Sequence, residues 1–350
     1  MKYTIKDIAK KCSVSIFSVS KVLNNKPVSL KAEKRARILR IAGKYNYAPN
    51  SIAQSLKTGK SGICGLVISH LDDRYTISII NLLDRELGTL GKNLIISNSR
   101  YSFAREIEIF HNFKRRFCDL IYIMTSFNGN KDDMYVSFYN TIKNDPSVVF
   151  IDSVIHDKKL NYIASRNHED AARAVEIFIK EKKISNVAYL SSGLTLPVLT
   201  ARKNGVAEVC CRFKLPCLCH EIPDTESSLQ DTVFSRLFWK NYCRPGTLIF
   251  FESYGIFFEQ LLYAFSPGGL KSGMDFFLCG FDKPVINDFK RFNGLKHNLP
   301  CLPFSYIEQN IEAMINQLIS HTAALAGKKK PDNIQSLIGS RFIDFPGLSK

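Results

Sequence analysis

Acidic residues are almost missing from the first 60 positions. Only Asp7 and Glu33 stand there against 14 lysines and arginines, which puts +12 of the chain's net charge of +16 into that segment. So uneven a distribution is the electrostatic footprint of a polyanion-binding segment, with nucleic acid ahead of an anionic membrane surface. Long apolar runs are missing as well: none approaches the roughly 18 residues a membrane helix needs. Nor does an apolar stretch follow Met1-Lys2-Tyr3-Thr4-Ile5-Lys6-Asp7, so a signal peptide is not expected and the cytoplasm, with the nucleoid, is the expected compartment. No GxGxxG follows a strand pattern, and neither HExxH nor GxSxG occurs. Gly59-Lys60-Ser61 imitates the end of a phosphate-binding loop, but the first glycine of that motif falls at Gln54. An enzyme is therefore not expected. CxxC pairs are also absent, although Cys210, Cys211, Cys217, Cys219 and His220 lie close together. Their spacing, CC-x5-C-x-C-H, does not fit structural zinc, and a cytoplasmic chain keeps such thiols reduced. They read as small buried hydrophobes on a strand and its flanks, and neither metal nor cofactor is expected. Tandem repeats are lacking, and no heptad pattern follows Leu337, so a tetramerising coiled coil is not expected.

What is present begins with three short helical patterns. Ile5, Ile8 and Ala9 share one face, and a turn follows at Cys12-Ser13-Val14. Ser15 suits the cap of a second helix with Val19, Val22 and Leu23 on its inner face. Asn24-Asn25-Lys26-Pro27 is a loop by turn chemistry. A third helix is expected from Ala32 to Tyr45, with Ile38, Ile41 and Ala42 inward and Lys34, Arg35, Arg37 and Arg40 outward. Pro49-Asn50 stops the chain and opens a short helix from Ser51 to Lys57, and Thr58-Gly59-Lys60-Ser61-Gly62 reads as a linker.

Beyond residue 62, strand patterns alternate with helix-length segments. Strands are expected at Ile63–Ser69, Asn93–Ser97, Leu120–Met124, Val148–Asp152, Val187–Ser191, Thr247–Phe251 and Phe276–Phe281. Helices are expected at Ile77–Leu90, Ala104–Arg116, Glu169–Lys182 and Thr200–Cys211. Such alternation implies parallel sheets covered by helices, and this number of strands calls for two α/β subdomains.

A helix-turn-helix reads base edges from the start of its second helix. Here Ile16, Phe17, Ser18 and Lys21 occupy that place, and Ser15 can both cap the helix and face phosphate. Lys21 suits a guanine acceptor pair or a phosphate, while Ile16 and Phe17 can touch only thymine methyls. Thr4-Ile5-Lys6-Asp7-Ile8-Ala9, Val14-Ser15, Val19-Ser20-Lys21-Val22-Leu23-Asn24 and Tyr47-Ala48-Pro49-Asn50 closely resemble, in order and spacing, the head of the lactose/galactose repressor (LacI) family. Ile52-Ala53-Gln54-Ser55-Leu56 is similar to that family's hinge helix, where a leucine at the place of Leu56 wedges into the central base step of the minor groove. The resemblance implies DNA contacts from Thr4, Ser15, Ile16, Phe17, Ser18, Lys21, Asn24, Asn50, Ser51, Ala53 and Leu56. Three departures stand out. Ser13 replaces the usual glycine, Lys21 replaces an arginine and its planar fork, and the loop from Asn24 to Arg35 is one residue longer.

The likeness continues more weakly through Gly65-Leu66-Val67-Ile68, Cys118-Asp119-Leu120-Ile121, Phe150-Ile151-Asp152 and Gly280-Phe281-Asp282. It implies a helix-turn-helix head with a hinge helix, followed by an α/β regulatory domain like the periplasmic sugar-binding proteins, made of two doubly wound parallel-sheet subdomains. The expected division is 1–47 for the head, 48–60 for hinge and linker, and 61–350 for the regulatory domain. Within the last, one subdomain is expected at about 61–162 and 290–322 and the other at about 163–289 and 323–350. In that fold a small ligand sits between the subdomains at the carboxyl ends of strands. By this resemblance the effector contacts are Asp73, Tyr75, Asp152, Arg202, Glu252, Asp282 and Phe304. Several polar positions are altered: Asp73-Arg74-Tyr75-Thr76 stands for Asn-Pro-Phe-Phe, Arg166-Asn167 for Asp-Asn, Glu252-Ser253 for Asn-Asp, and Phe304-Ser305 for Gln-Pro. The expected protein is a dimeric repressor of a pseudo-palindromic operator in double-stranded DNA, with a small-molecule effector, sugar-like (a carbohydrate) or of unknown class, and no membrane partner. The alternatives are a non-specific architectural DNA binder and a regulator that has lost its effector response. Leu56→Ala should weaken operator binding and reduce DNA bending while leaving the fold intact; an unchanged bend angle in a gel assay removes the wedge.

Overall fold

Capping chemistry and one buried stripe explain the amino-terminal helices of the computed structural model. The structure describes residues 3–48, 59–71, 73–127, 129, 131–153, 159–221, 244–253, 276–282, 304–326 and 333–345. Helix α1 (Ile5–Cys12) opens on a capping box in which Thr4 and Asp7 exchange backbone and side-chain hydrogen bonds. Helix α2 (Ile16–Leu23) is capped by Ser15, whose Oγ accepts from the Ser18 N–H at 3.1 Å. Helix α3 (Ala32–Lys44) crosses both, and Ile8, Ala9, Cys12, Val19, Val22, Ile38 and Ala42 close the core between the three. Ser13 joins α1 to the turn at φ 50°, ψ 51°, the left-handed conformation that the missing glycine would favour. Nearby, the Asp119 carboxylate accepts the backbone N–H groups of Ser61 at 2.7 Å and Gly62 at 3.0 Å, fixing the end of the linker. The expected hinge helix, with Asn50, Ser51, Ala53 and Leu56, lies outside the described residues.

The remainder forms two sheets. The first contains β1 (Ile63–Ile68), β2 (Asn93–Asn98), β3 (Leu120–Ile123), β4 (Val148–Ile151), β5 (Asn161–Ser165) and β11 (Gln335–Ile338), in the order β11-β5-β4-β3-β1-β2. The second contains β6 (Asn186–Ser191), β7 (Cys217–Glu221), β8 (Thr247–Phe251), β9 (Phe276–Phe281), β10 (Phe304–Glu308) and β12 (Arg341–Phe345), in the order β12-β10-β9-β8-β6-β7. Strand β12 runs antiparallel to β10, while the β3-β4-β5-β11 and β7-β6-β8-β9-β10 ladders are parallel. Central strands such as VVFI in β4 and TLIFF in β8 are buried along their whole length, as a sheet covered on both faces requires. Helices α4 (Arg74–Thr89) and α9 (Ile311–Ala326) pack Ile79, Leu83, Leu87, Met314, Ile315 and Leu318 against the first sheet. Helices α5 (Phe103–Arg115) and α6 (Asp133–Ile142) follow β2 and β3 in the chain. Helices α7 (Asn167–Ile177) and α8 (Pro197–Arg212) serve the second sheet through Ala171, Val175, Val206 and Val209. They approach so closely at Gly205 that a Cβ there would stand 2.2 Å from the His168 carbonyl oxygen.

The expected subdomain boundaries need correction at each crossover. Strand β5 runs to Ser165 in the first sheet, so the chain crosses after that residue rather than after 162. Strand β10, placed with the first subdomain by the sequence, pairs with β9 in the second sheet. Strand β11, placed with the second, pairs with β5 in the first. Pattern alone cannot sort short strands between two similar sheets, because both sheets bury their central strands and leave edge strands partly exposed. Strand β5 escaped the pattern because it opens on Asn161, a buried amide that donates to the Asp145 and Val148 carbonyls and accepts from the Ile334 N–H. The helix expected to run to Lys182 gives way after Ile177 to a π-helical turn, Phe178–Lys182. Of the cysteine cluster, Cys210 is buried and Cys217 half-buried, whereas Cys219 is exposed on the edge strand β7 and Cys211 is exposed near the end of α8. Ser13→Gly should stabilise the head by about 1 kcal/mol, since glycine occupies the left-handed region without a Cβ clash. Thermal unfolding of the two forms checks this, and an unchanged midpoint removes the strain.

Candidate nucleic-acid interface and ligand cleft

Burial of Val19 and Val22 turns the opposite side of α2 to solvent. Ile16 and Phe17 are 45% and 61% exposed there, although both are large and apolar. Lys21 lies one turn further along the same face, its Nζ 4.7 Å from the centre of the Phe17 ring. Ser15 and Ser18 meet at 2.9 Å through their hydroxyls, at the helix N-terminus where backbone N–H groups and the dipole favour an anion. Thr4 is exposed at the start of α1, but its hydroxyl donates to Asp7 at 2.6 Å within the capping box. Asn24 closes α2, its amide donating to the Ser20 carbonyl at 2.7 Å. Lys34, Arg37 and Arg40 are exposed on α3, while Arg35 donates to the Asn25 side chain at 2.8 Å and holds the longer loop.

The second constellation forms where the carboxyl ends of the two sheets meet. Asp152 follows β4 at φ 50° and Asp282 follows β9 at φ 69°, so each strand ends on an aspartate in the left-handed region. Aspartate tolerates that conformation better than most residues, and the turn swings the carboxylate away from the strand line. Arg202, projecting from α8 and buried, donates Nε to the Asn167 side chain at 2.8 Å and Nη1 to the Glu252 carbonyl at 2.7 Å. Its guanidinium carbon rests 3.8 Å from the centre of the Phe281 ring. The Tyr75 hydroxyl hydrogen-bonds Asp152, and its phenol is held well above the usual tyrosine range by burial first, then by the fields of Asp152 and Asp282. Burial raises Asp152 against the opposing pull of Arg202, and pushes Asp282 up to about 6. Asp282 keeps partial exposure yet is surrounded by protein and accepts the Gln309 amide at 2.9 Å. Asp73 caps α4 by accepting from Thr76 and pairs with His70, which lowers its pKa. The Glu252 carboxylate turns back into the wall to accept the Ser192 N–H.

Of the seven residues expected to contact an effector, Asp73, Tyr75, Asp152, Arg202, Glu252 and Asp282 stand at these carboxyl ends. Phe304 does not. It occupies the amino end of β10, paired with Phe345, while the carboxyl end carries Glu308 and then Gln309. The chain crosses after β10 rather than before it, so Gln309 and Asn310, not Phe304 and Ser305, stand at the carboxyl edge. Asn310 there caps α9 by accepting the Ala313 N–H at 3.1 Å. Asn167 and Gln309 are the site residues the sequence reading did not select. Only their position directly after a strand could have marked them.

Comparison with known proteins accords with this geometry. The sequence profile of the bacterial regulatory proteins of the lacI family matches residues 4–50. The ribose operon repressor of Halalkalibacterium halodurans is 30% identical over 35% of this chain and 37% of its own length. Catabolite control protein A of Priestia megaterium is 26% identical over 58% of this chain and 59% of its own. These matches span a third to three fifths of the curated relatives. The Lac repressor dimer bound to operator and the anti-inducer ONPF superimposes with a TM-score of 0.79 at 18% identity over the whole of both chains, a likeness of fold. Residues 4–50 thus carry a lacI-family head. The fold of the chain, a helix-turn-helix head followed by a domain like the periplasmic binding proteins with two parallel-sheet subdomains, is that of these structural neighbours.

One stability consequence follows from Asp282. Its folded pKa of about 6 exceeds the ordinary 3.8, so the native state binds more protons between those values and loses stability as pH rises across that window. Asp282→Asn should therefore melt about 2–4 °C above the parent at pH 7 and alongside it near pH 4, a difference that pH-dependent thermal unfolding reads. Equal midpoints at pH 7 would show that the carboxylate is not penalised.

Proposed function

We propose that this chain is a transcriptional repressor that binds a pseudo-palindromic operator as a homodimer and answers a small, sugar-like molecule held between its two sheets. The observation that carries the reading is the exposed face of α2. Ile16 and Phe17 lie bare to solvent beside Lys21 on a capped helix, in a segment holding +12 of the chain's charge. Apolar side chains of that size are exposed at a helix start when something covers them, and thymine methyls in a major groove suit both shape and polarity. The basic residues of α3 and the N-terminus of α2 supply phosphate contacts that set register without reading sequence. Relatives that carry the name repressor, and a neighbour solved as a dimer on its operator, support the dimer and the operator for this chain. The segment around Leu56, which joins the head to the two-sheet body in the chain, would couple the two functions.

Selection of bound sites from a random DNA pool, followed by titration at 150 mM salt, tests the proposal. A palindromic site should gain about 10³ or more over random sequence, and a gain below about tenfold makes the chain an architectural binder instead. Within the selected site, Lys21→Ala should cost about 1–3 kcal/mol and relax preference at particular base positions. A uniform loss across sequences reduces Lys21 to a phosphate contact. Phe17→Ala should lower discrimination at a thymine while leaving the salt dependence of binding unchanged.

A further inference from the structure

Around Arg202 the hydrogen-bond acceptors outnumber the donors that face them. Asp282 receives the neutral Gln309 amide, and Asp152 receives the Tyr75 hydroxyl with two longer contacts, from the Ser165 N–H at 3.4 Å and the Asn167 amide at 3.5 Å. Neither carboxylate forms an ion pair among the described residues. Arg202, the cation whose field both feel, spends Nε on Asn167 and Nη1 on a backbone carbonyl. Asp152 and Asp73 add repulsion at Asp282. Buried charges in folded proteins are paired, and none of the described residues supplies a counter-charge beyond Arg202.

Two further atoms point the same way. Among the described residues, the Oε1 of Gln309, a side chain only 6% exposed, has no hydrogen-bond partner, and neither has the hydroxyl of Tyr189, which is 1% exposed. The Gln309 amide nitrogen is fixed against Asp282, so its unsatisfied carbonyl oxygen belongs to the same side chain that meets that carboxylate. The Tyr189 hydroxyl lies in the fields of Glu252 and Arg202. Unsatisfied buried polar atoms are rare, and here one belongs to a side chain bonded to Asp282 while the other lies in the field of Arg202, which also acts on both carboxylates.

We infer that the ligand of this cleft carries a protonated amine among its hydroxyl groups, with the ammonium received by Asp152, Asp282 and the carbonyl oxygen of Gln309. The inference rests on the proposed reading of the cleft as the effector site and names the chemistry of that effector. An ammonium brings three donors to three acceptors and supplies the missing charge. A neutral sugar satisfies the hydrogen bonds but leaves two acids against one guanidinium, and an anionic ligand adds to the repulsion. A bare metal ion fits less well, since among the described residues no three His, Cys, Asp or Glu side chains group closely enough to hold one.

Calorimetric titration of the full chain with D-glucosamine and D-galactosamine, their N-acetyl derivatives and the neutral parent sugars, at pH 5 and pH 7, tests this. At pH 7 at least one amine should bind about tenfold or more tightly than its N-acetyl and neutral counterparts. It should lose about tenfold at pH 5, where Asp282 with its pKa near 6 holds a proton. Asp282→Asn should abolish the preference for the amine while its thermal midpoint shows it folded, and Gln309→Leu supplies a second variant should that one not fold. A neutral sugar that binds as tightly as its amine overturns the ammonium and leaves the cleft as effector site. Failure of every probe to bind below about 1 mM overturns the effector reading and this inference together.

Discussion

A single buried guanidinium holds the two-sheet body to its chemistry. Arg202 comes from α8, yet its contacts belong to three other places: Asn167 at the start of α7, the carbonyl of Glu252 after β8, and the Phe281 ring at the end of β9. A cation withdrawn from water must be satisfied by acceptors or by the face of an aromatic ring, and Arg202 has both. Its planar fork makes the arrangement specific, since a lysine could reach one acceptor but could not stack on the ring while bonding two others. Asp152 and Asp282 depend on it in turn, because its field is the largest influence opposing the burial that raises their pKa values. Remove the guanidinium and two carboxylates remain in a dry site, each with only neutral donors.

The strand ends explain how such groups reach one another. A parallel strand delivers its next residue to the carboxyl edge of the sheet, and both aspartates occupy that next position at positive φ. The turn costs little for aspartate, so the strain is local and small. Glu252, Gln309 and Asn167 likewise follow β8, β10 and β5 directly or within one residue. The site is thus a property of topology before it is one of side chains: parallel strands collect their successors on one edge, and the chain's repeated crossings place two such edges together.

This account also separates what the sequence could reveal from what it could not. The head was readable almost to the residue, because its helices obey short-range rules. Ser15 caps, Val19 and Val22 turn inward, and Ile16 and Phe17 are forced outward by geometry alone. Even the left-handed Ser13 follows from the turn that any helix-turn-helix must make. Asp152, Arg202 and Asp282 were found through the resemblance of the segments that carry them. Phe304 failed because β10 and β11 are short strands that either sheet would accept, and no local rule assigns them. Gln309 was missed for the same reason. Once β10 ends at Glu308, the next residue must lie on the cleft edge, but that end is fixed by its parallel pairing with β9.

Charge is distributed between the two units with opposite purposes. The head concentrates +12 within its first 60 residues and meets anions with lysine, arginine and a helix N-terminus. The cleft gathers Asp73, Asp152 and Asp282 around one arginine. A DNA phosphate is attracted by the first and repelled by the second, while a donor-rich or cationic ligand is drawn to the second and rejected by the first. Coulomb forces thus keep the two ligands from competing, with no contact between the sites required. What charge leaves open is which base sequence is read. In the proposed function that would fall to the apolar pair Ile16–Phe17, whose contacts would carry no charge and would discriminate by shape, the methyl group of thymine being the feature of the major groove they fit best.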